Sequence, residues 1–168
     1  MKLRIALAQV NPTVGDLAAN AALVRENFKS AQEAGAHIVV FPEMVLTGYP
    51  VEDLALRPSF QIASQNALAE LAKSLTGKSV AIVGYLDQVD GAPQNMVAVI
   101  SDGVVSARYA KCHLPNYGVF DEFRNFVPGD KTLVVRIHGV DVGIAICEDL
   151  WIDGGITEQL ANRKPGLV

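Results

Sequence analysis

Short apolar runs, each closed by turn residues, alternate along this chain with longer segments of helical period, and that alternation limits the possible folds most. Residues 3–10 (LRIALAQV) read as a buried strand that Asn11-Pro12 closes. Asp16 is placed to cap a helix over about 17–34. Leu23, Val24, Phe28 and Ala31 recur there at helical spacing before Gly35 ends it. Residues 37–41 (HIVVF) form a second strand, stopped by Pro42. A turn-rich stretch, 43–57, leads to a second helix over about 59–75, closed by Gly77. Three strands follow at 80–86, 96–100 and 104–110. Asp90-Gly91 and Asp102-Gly103 separate them, and the second pair suits a tight hairpin. Two more strands, 133–137 and 140–146, meet at His138-Gly139, and a short helix spans about 156–162. The order specifies one mixed α/β domain without internal repeats or linkers.

Composition narrows the function classes. Half of the residues are apolar and 19% are charged, the opposite of the balance that keeps a chain disordered. The longest stretch free of Asp, Glu, Lys and Arg is 58–69, well short of the roughly twenty residues a bilayer demands. Lys2 and Arg4 are not followed by an adequate apolar run before Asn11, so no signal peptide is expected. A net charge of −4 argues against a nucleic-acid partner held through phosphates. Cys112 and Cys147 form no CxxC pair and suit a reduced, cytoplasmic compartment.

Several familiar motifs fail. Gly77-Lys78-Ser79 mimics the end of a phosphate loop, but Ala72 stands where its first glycine belongs, and the triplet ends a helix. No GxGxxG follows the first strand, no GxSxG occurs, and His37, His113 and His138 lack metal-ligand spacing.

Three residues stand just past the ends of apolar strands, where open α/β sheets gather ligands. Cys147 is either a buried core cysteine or a nucleophile at a strand-to-helix turn. Glu43 is either a solvated loop acid or a carboxylate desolvated by Phe41, Met44 and Val45 for general-base work. Lys111 is either a surface charge or a cation serving a reaction. It opens a long connection, 111–130, whose length marks function or disorder. Tyr117, Phe120, Phe123 and Phe126 argue against disorder.

Phe41-Pro42-Glu43, then Lys111 opening Lys-Cys-His-Leu-Pro-Asn-Tyr-Gly-Val-Phe-Asp-Glu, then Ile146-Cys147-Glu148-Asp149-Leu150-Trp151, resemble the Glu-Lys-Cys signature of the nitrilase superfamily of carbon-nitrogen hydrolases. The segments after the lysine and around the cysteine, with Leu46-Thr47-Gly48-Tyr49-Pro50, are similar to the N-terminal glutaminase domain of glutamine-dependent NAD synthetases. The resemblance spans essentially the whole chain. It implies an αββα sandwich with Glu43, Lys111 and Cys147 converging at strand ends and the first two helices packed on one sheet.

It also implies glutamine hydrolysis through a thioester, supplying ammonia for ATP-dependent NAD synthesis from deamido-NAD. Cys147 is then the nucleophile and Glu43 the base. Lys111 is expected to favour the thiolate and, with the Glu148 N–H, to hold the oxyanion. Glu122 supports them, and Tyr49, Tyr117, Glu148 and Trp151 line the glutamine pocket. No metal or cofactor is implied for this segment. ATP and magnesium are implied only for a synthetase domain, for whose Ser-Gly-Gly loop Asp153-Gly154-Gly155 is no substitute. A homo-oligomer without membrane or nucleic-acid partners is expected. Asn125 stands where an aromatic residue is expected.

Family domains run on past the cysteine, so residues 1–168 are expected to be an N-terminal portion, incomplete at the C-terminus, with Pro165-Gly166-Leu167-Val168 announcing a further strand. Two other readings stay open: a stand-alone amidase of the same superfamily, and a non-catalytic fragment that serves as an assembly surface.

Overall fold

Strand and helix periods resolve into two stacked sheets with helices outside them in a computed structural model, which describes residues 2–168. The larger sheet holds β1 (Ile5–Leu7), β2 (Ile38–Val40), β3 (Val80–Val89), β4 (Ala92–Ser101) and β5 (Val104–Ala110), in that spatial order. β1, β2 and β3 run parallel, joined by the crossover helices α1 (Leu17–Glu33) and α2 (Pro58–Ser74). β3, β4 and β5 form an antiparallel meander. The smaller sheet pairs β6 (Leu133–Ile137) with β7 (Val140–Ile144). The long connection between β5 and β6 carries one helical turn, α3 (Glu122–Asn125), and the last helix is α4 (Ile156–Arg163).

Period-two patterning decides which side chains face which layer. Ala81, Val83 and Tyr85 of β3 and Ala98 and Ile100 of β4 meet Val24 and Phe28 of α1 and Leu68 and Leu71 of α2. Their neighbours Val80, Ile82, Val97 and Val99 point the other way, onto Ile137, Val142 and Ile144 of the smaller sheet. Each fully buried aliphatic side chain contributes about 1.5–3 kcal/mol through this burial. Leu160 of α4 sits over Gly143 on the far side of β7. The layers are therefore helices, five-stranded sheet, two-stranded sheet and helix, the expected αββα order.

Three two-residue hairpins set the registers. Asp90-Gly91, Asp102-Gly103 and His138-Gly139 each take positive φ at both positions, as turns matching the twist of the flanking strands require. Asp16 caps α1 by accepting from the Ala19 N–H at 3.0 Å.

Some boundaries differ from the sequence reading. β1 is only three residues long, although the Ala8 N–H still reaches the Val40 carbonyl at 2.9 Å. β3 and β4 are each ten residues long, because pairing continues through Pro93 to the turn. β7 stops at Ile144, and a 3-10 turn, Cys147–Leu150, follows. Leu167 makes one isolated parallel bridge with Val142 of the smaller sheet.

Candidate active site

The long β3–β4 hairpin runs past the ends of β2 and β5 and makes a platform on which the loops after those strands rest. Pro42 stops β2, and the chain turns tightly, with the Val45 and Gly48 N–H groups donating to the Pro42 and Met44 carbonyls. The Leu46 N–H donates to the carbonyl of Gly84 on β3, at 3.1 Å. A β-carbon at residue 84 would meet the Met44 nitrogen, the Pro42 oxygen at 2.8 Å and the Glu43 carbonyl carbon at 3.0 Å. Glycine there lets the Glu43 turn lie directly on the strand.

Lys111, first after β5, is wholly buried, its side chain 0% exposed. Its Nζ donates to Glu43 Oε1 at 2.7 Å and lies 3.0 and 2.9 Å from the two oxygens of Glu122. Burial alone would lower its pKa, but the two carboxylates outweigh that and hold it above the ordinary lysine value. Burial also raises the Glu122 pKa, with Lys111 offsetting part of the effect. Tyr49 donates to Glu122 Oε1 at 2.9 Å. Its phenol is pushed far up by burial and by Glu122, so it acts as a donor. The surface-charge reading of Lys111 and the solvated-acid reading of Glu43 both give way to this cluster.

Cys147 lies at the end of the β7 run, and its φ of 44° puts a non-glycine residue in the left-handed region. It is exposed, which overturns the core-cysteine reading, whereas Cys112 is half-buried. The thiol pKa is raised by partial burial and by the charge of Glu43, which lines the same cavity. Lys111 opposes the rise without cancelling it. Lys111 thus favours the thiolate, as expected, but burial and Glu43 weigh more. Cys147 and Glu43 line one cavity of about 360 Å³ between the sheets, walled by apolar residues such as Ile38, Ile82 and Ile144.

Asp149 ties the cysteine turn to the lysine segment. Fully buried, it accepts from the N–H groups of Cys112 and His113 at 3.0 and 2.8 Å through Oδ1. Oδ2 accepts from the Tyr109 hydroxyl at 2.7 Å and the Ile146 N–H at 3.0 Å. None of Tyr49, Tyr117, Glu148 and Trp151, expected in the glutamine pocket, lines the cavity between the sheets. Tyr117 donates to the buried Glu148 at 2.8 Å beside a separate surface cleft, and Trp151 is 72% exposed. Asn125 is buried under the loop and donates to the Asp121 carbonyl at 3.3 Å.

Sequence reasoning missed Asn95, Gly84 and Asp149. Asn95 donates to Glu43 Oε1 at 2.6 Å. Its only signal was a polar residue opening an apolar strand run. Asp149 offered a second acid after the cysteine.

Residues 4–162 match the carbon-nitrogen hydrolase family. The chain belongs to that family. Among curated carbon-nitrogen hydrolase relatives, the glutamine-dependent NAD(+) synthetase of Thermotoga maritima is 44% identical over 151 residues, 89% of this chain and 26% of the relative. That of Xylella fastidiosa is 44% identical over 167 residues, covering 98% of this chain and 30% of the relative. The chain thus spans less than a third of the length of these relatives. The solved glutamine-dependent NAD+ synthetase of Acinetobacter baumannii superposes with a TM-score of 0.90 at 37% identity, over 96% of this chain and 30% of that one. A nitrilase-superfamily amidase from Nesterenkonia shares the fold, with a TM-score of 0.81 at 23% identity over 96% of this chain and 62% of that one.

Proposed function

We propose that this domain hydrolyses the side-chain amide of glutamine, with Cys147 as nucleophile, and that the ammonia released serves ATP-dependent amidation of deamido-NAD. The observation that carries the reading is the buried Lys111 between Glu43 and Glu122, with Cys147 lining the same cavity as Glu43. Glu43 accepts the thiol proton as sulfur attacks the amide carbon. Lys111 and the Glu148 N–H stabilise the tetrahedral oxyanion, each such donor contributing about 3 kcal/mol. Glu43 returns the proton to the departing nitrogen, the C–N bond breaks, and ammonia leaves a thioester on Cys147. Glu43 then takes a proton from water as it attacks the thioester. Collapse releases glutamate, and the sulfur regains its proton.

Glu122 holds Lys111, and Tyr49 orients Glu122. Tyr117, Glu148 and Trp151 form the mouth that receives glutamine, Glu148 supplying a carboxylate for its ammonium group. Hydrolysis draws on these side chains and water. ATP and magnesium belong, in this proposal, to the amidation that consumes the ammonia, carried out in a separate domain of a cytoplasmic homo-oligomer.

The test is ammonia release from glutamine by the native protein and its Cys147→Ala variant. Loss of release in Cys147→Ala, with ammonia-driven NAD synthesis retained, is expected. Preference for simple aliphatic amides over glutamine supports the amidase reading instead, and unchanged release by Cys147→Ala contradicts both.

A further inference from the structure

We infer that Asn95 is a positioning residue that fixes which oxygen of Glu43 handles the proton, an inference that rests on the hydrolysis proposed above. Asn95 stands on β4 opposite Leu86, where the hairpin extends past its neighbours, and it is 1% exposed. Two bonds leave it in different directions. Its carbonyl accepts from the Lys111 N–H at 2.9 Å, and its Nδ2 donates to Glu43 Oε1 at 2.6 Å. One residue thus sets the height of the lysine through its backbone and the rotation of the glutamate through its side chain.

Lys111 Nζ donates to the same Oε1 at 2.7 Å. Two donors occupy that oxygen, so Oε2 is the one left to take the proton of Cys147. The ammonium cannot fix this alone. It is a rotatable point charge shared with Glu122, whereas the planar amide sits on a rigid strand. A carboxylate only accepts, so the amide nitrogen must face Glu43. The amide oxygen is thereby left buried without a donor among the described residues. That is an unfavourable state for a core position, in a strand whose next residues are apolar. Such a breach of local consistency is expected where chemistry, and not stability, selects the residue.

Asn95→Asp keeps the shape and turns the donor into an acceptor, and Asn95→Leu removes both. In the native protein, kcat for ammonia release is expected to fall about 100-fold in each variant, as about 1 Å of misplacement does. KM for glutamine should change little, and the melting temperature of Asn95→Leu should not drop. Wild-type kcat in Asn95→Asp overturns the inference. So does a kcat loss in Asn95→Leu that tracks a lowered melting temperature, since that marks a merely structural role. Cys147→Ala, assayed alongside, separates the two levels. If it still turns over, the hydrolysis reading fails. If it is inactive while both Asn95 variants work normally, only the role of Asn95 fails.

Discussion

Lys111 is the residue on which the charge balance of the site turns. It is a buried cation between two carboxylates, and breaking such a pair leaves uncompensated charge. Lys111→Met should therefore lower stability by about 3–5 kcal/mol in denaturant titrations, besides ending ammonia release. Because the folded lysine pKa is raised, its contribution is complete below the unfolded value of about 10.4 and is lost as pH rises through the folded one. Cys147 gives a second handle. After burial, the charge of Glu43 does most to raise the thiol pKa. Glu43→Gln removes the negative charge, so the pH midpoint for alkylation of Cys147 by iodoacetamide should move down even as hydrolysis stops. An upward or absent shift would contradict the influence of Glu43 on the thiol. Cys112→Ser should leave hydrolysis intact, because Asp149 uses the backbone N–H of residue 112 and the thiol reaches the Ala110 and Lys131 carbonyls, which a hydroxyl can also do.

At the scale of elements, the strand-end loops are held by contacts that single residues make possible. Gly84→Ala forces a β-carbon against the Pro42–Met44 backbone and should cut kcat by about 100-fold while the rest of β3 stays paired. Asp149→Ala strips four donors of their acceptor and should cost about 3 kcal/mol or more, read by thermal melting. Sequence periodicity was enough for the three longer helices, for all three hairpin turns and for the order of strands along the chain, but not for the single turn α3. Each of those depends on local pattern or on a glycine at a fixed offset. Glu43, Lys111 and Cys147 stood out because charged or reactive side chains follow apolar runs in a recognisable order, whereas Glu122 came only with the family resemblance. Pro93 hid the full length of the β3–β4 hairpin, since proline reads as a strand breaker. Gly84, Asn95 and Asp149 were not legible, because their partners are distant in sequence. The Asn95–Glu43 contact joins positions 52 apart and that of Asp149 with Tyr109 positions 40 apart.

Across the whole molecule, the two sheets meet along an apolar seam that opens as a cleft reaching Cys147. β1 forms one edge of the larger sheet, and Leu7 on it is 67% exposed. An apolar edge strand pairs readily with other chains. The 168-residue polypeptide should therefore associate in light scattering, and Leu7→Lys should shift it toward monomer. An unassociated wild type, or association unaffected by that substitution, would place the contact elsewhere. The same cleft makes the central claim accessible, since it brings Cys147 and Glu43 to one cavity wall. Rapid acid quenching of the native protein during turnover of glutamine, followed by peptide mass spectrometry, tests that claim most directly. The account predicts a glutamyl adduct on the peptide carrying Cys147, absent from Cys147→Ala and never on the peptide carrying Cys112. Ammonia release with no adduct on Cys147, or with the adduct on Cys112, would contradict it.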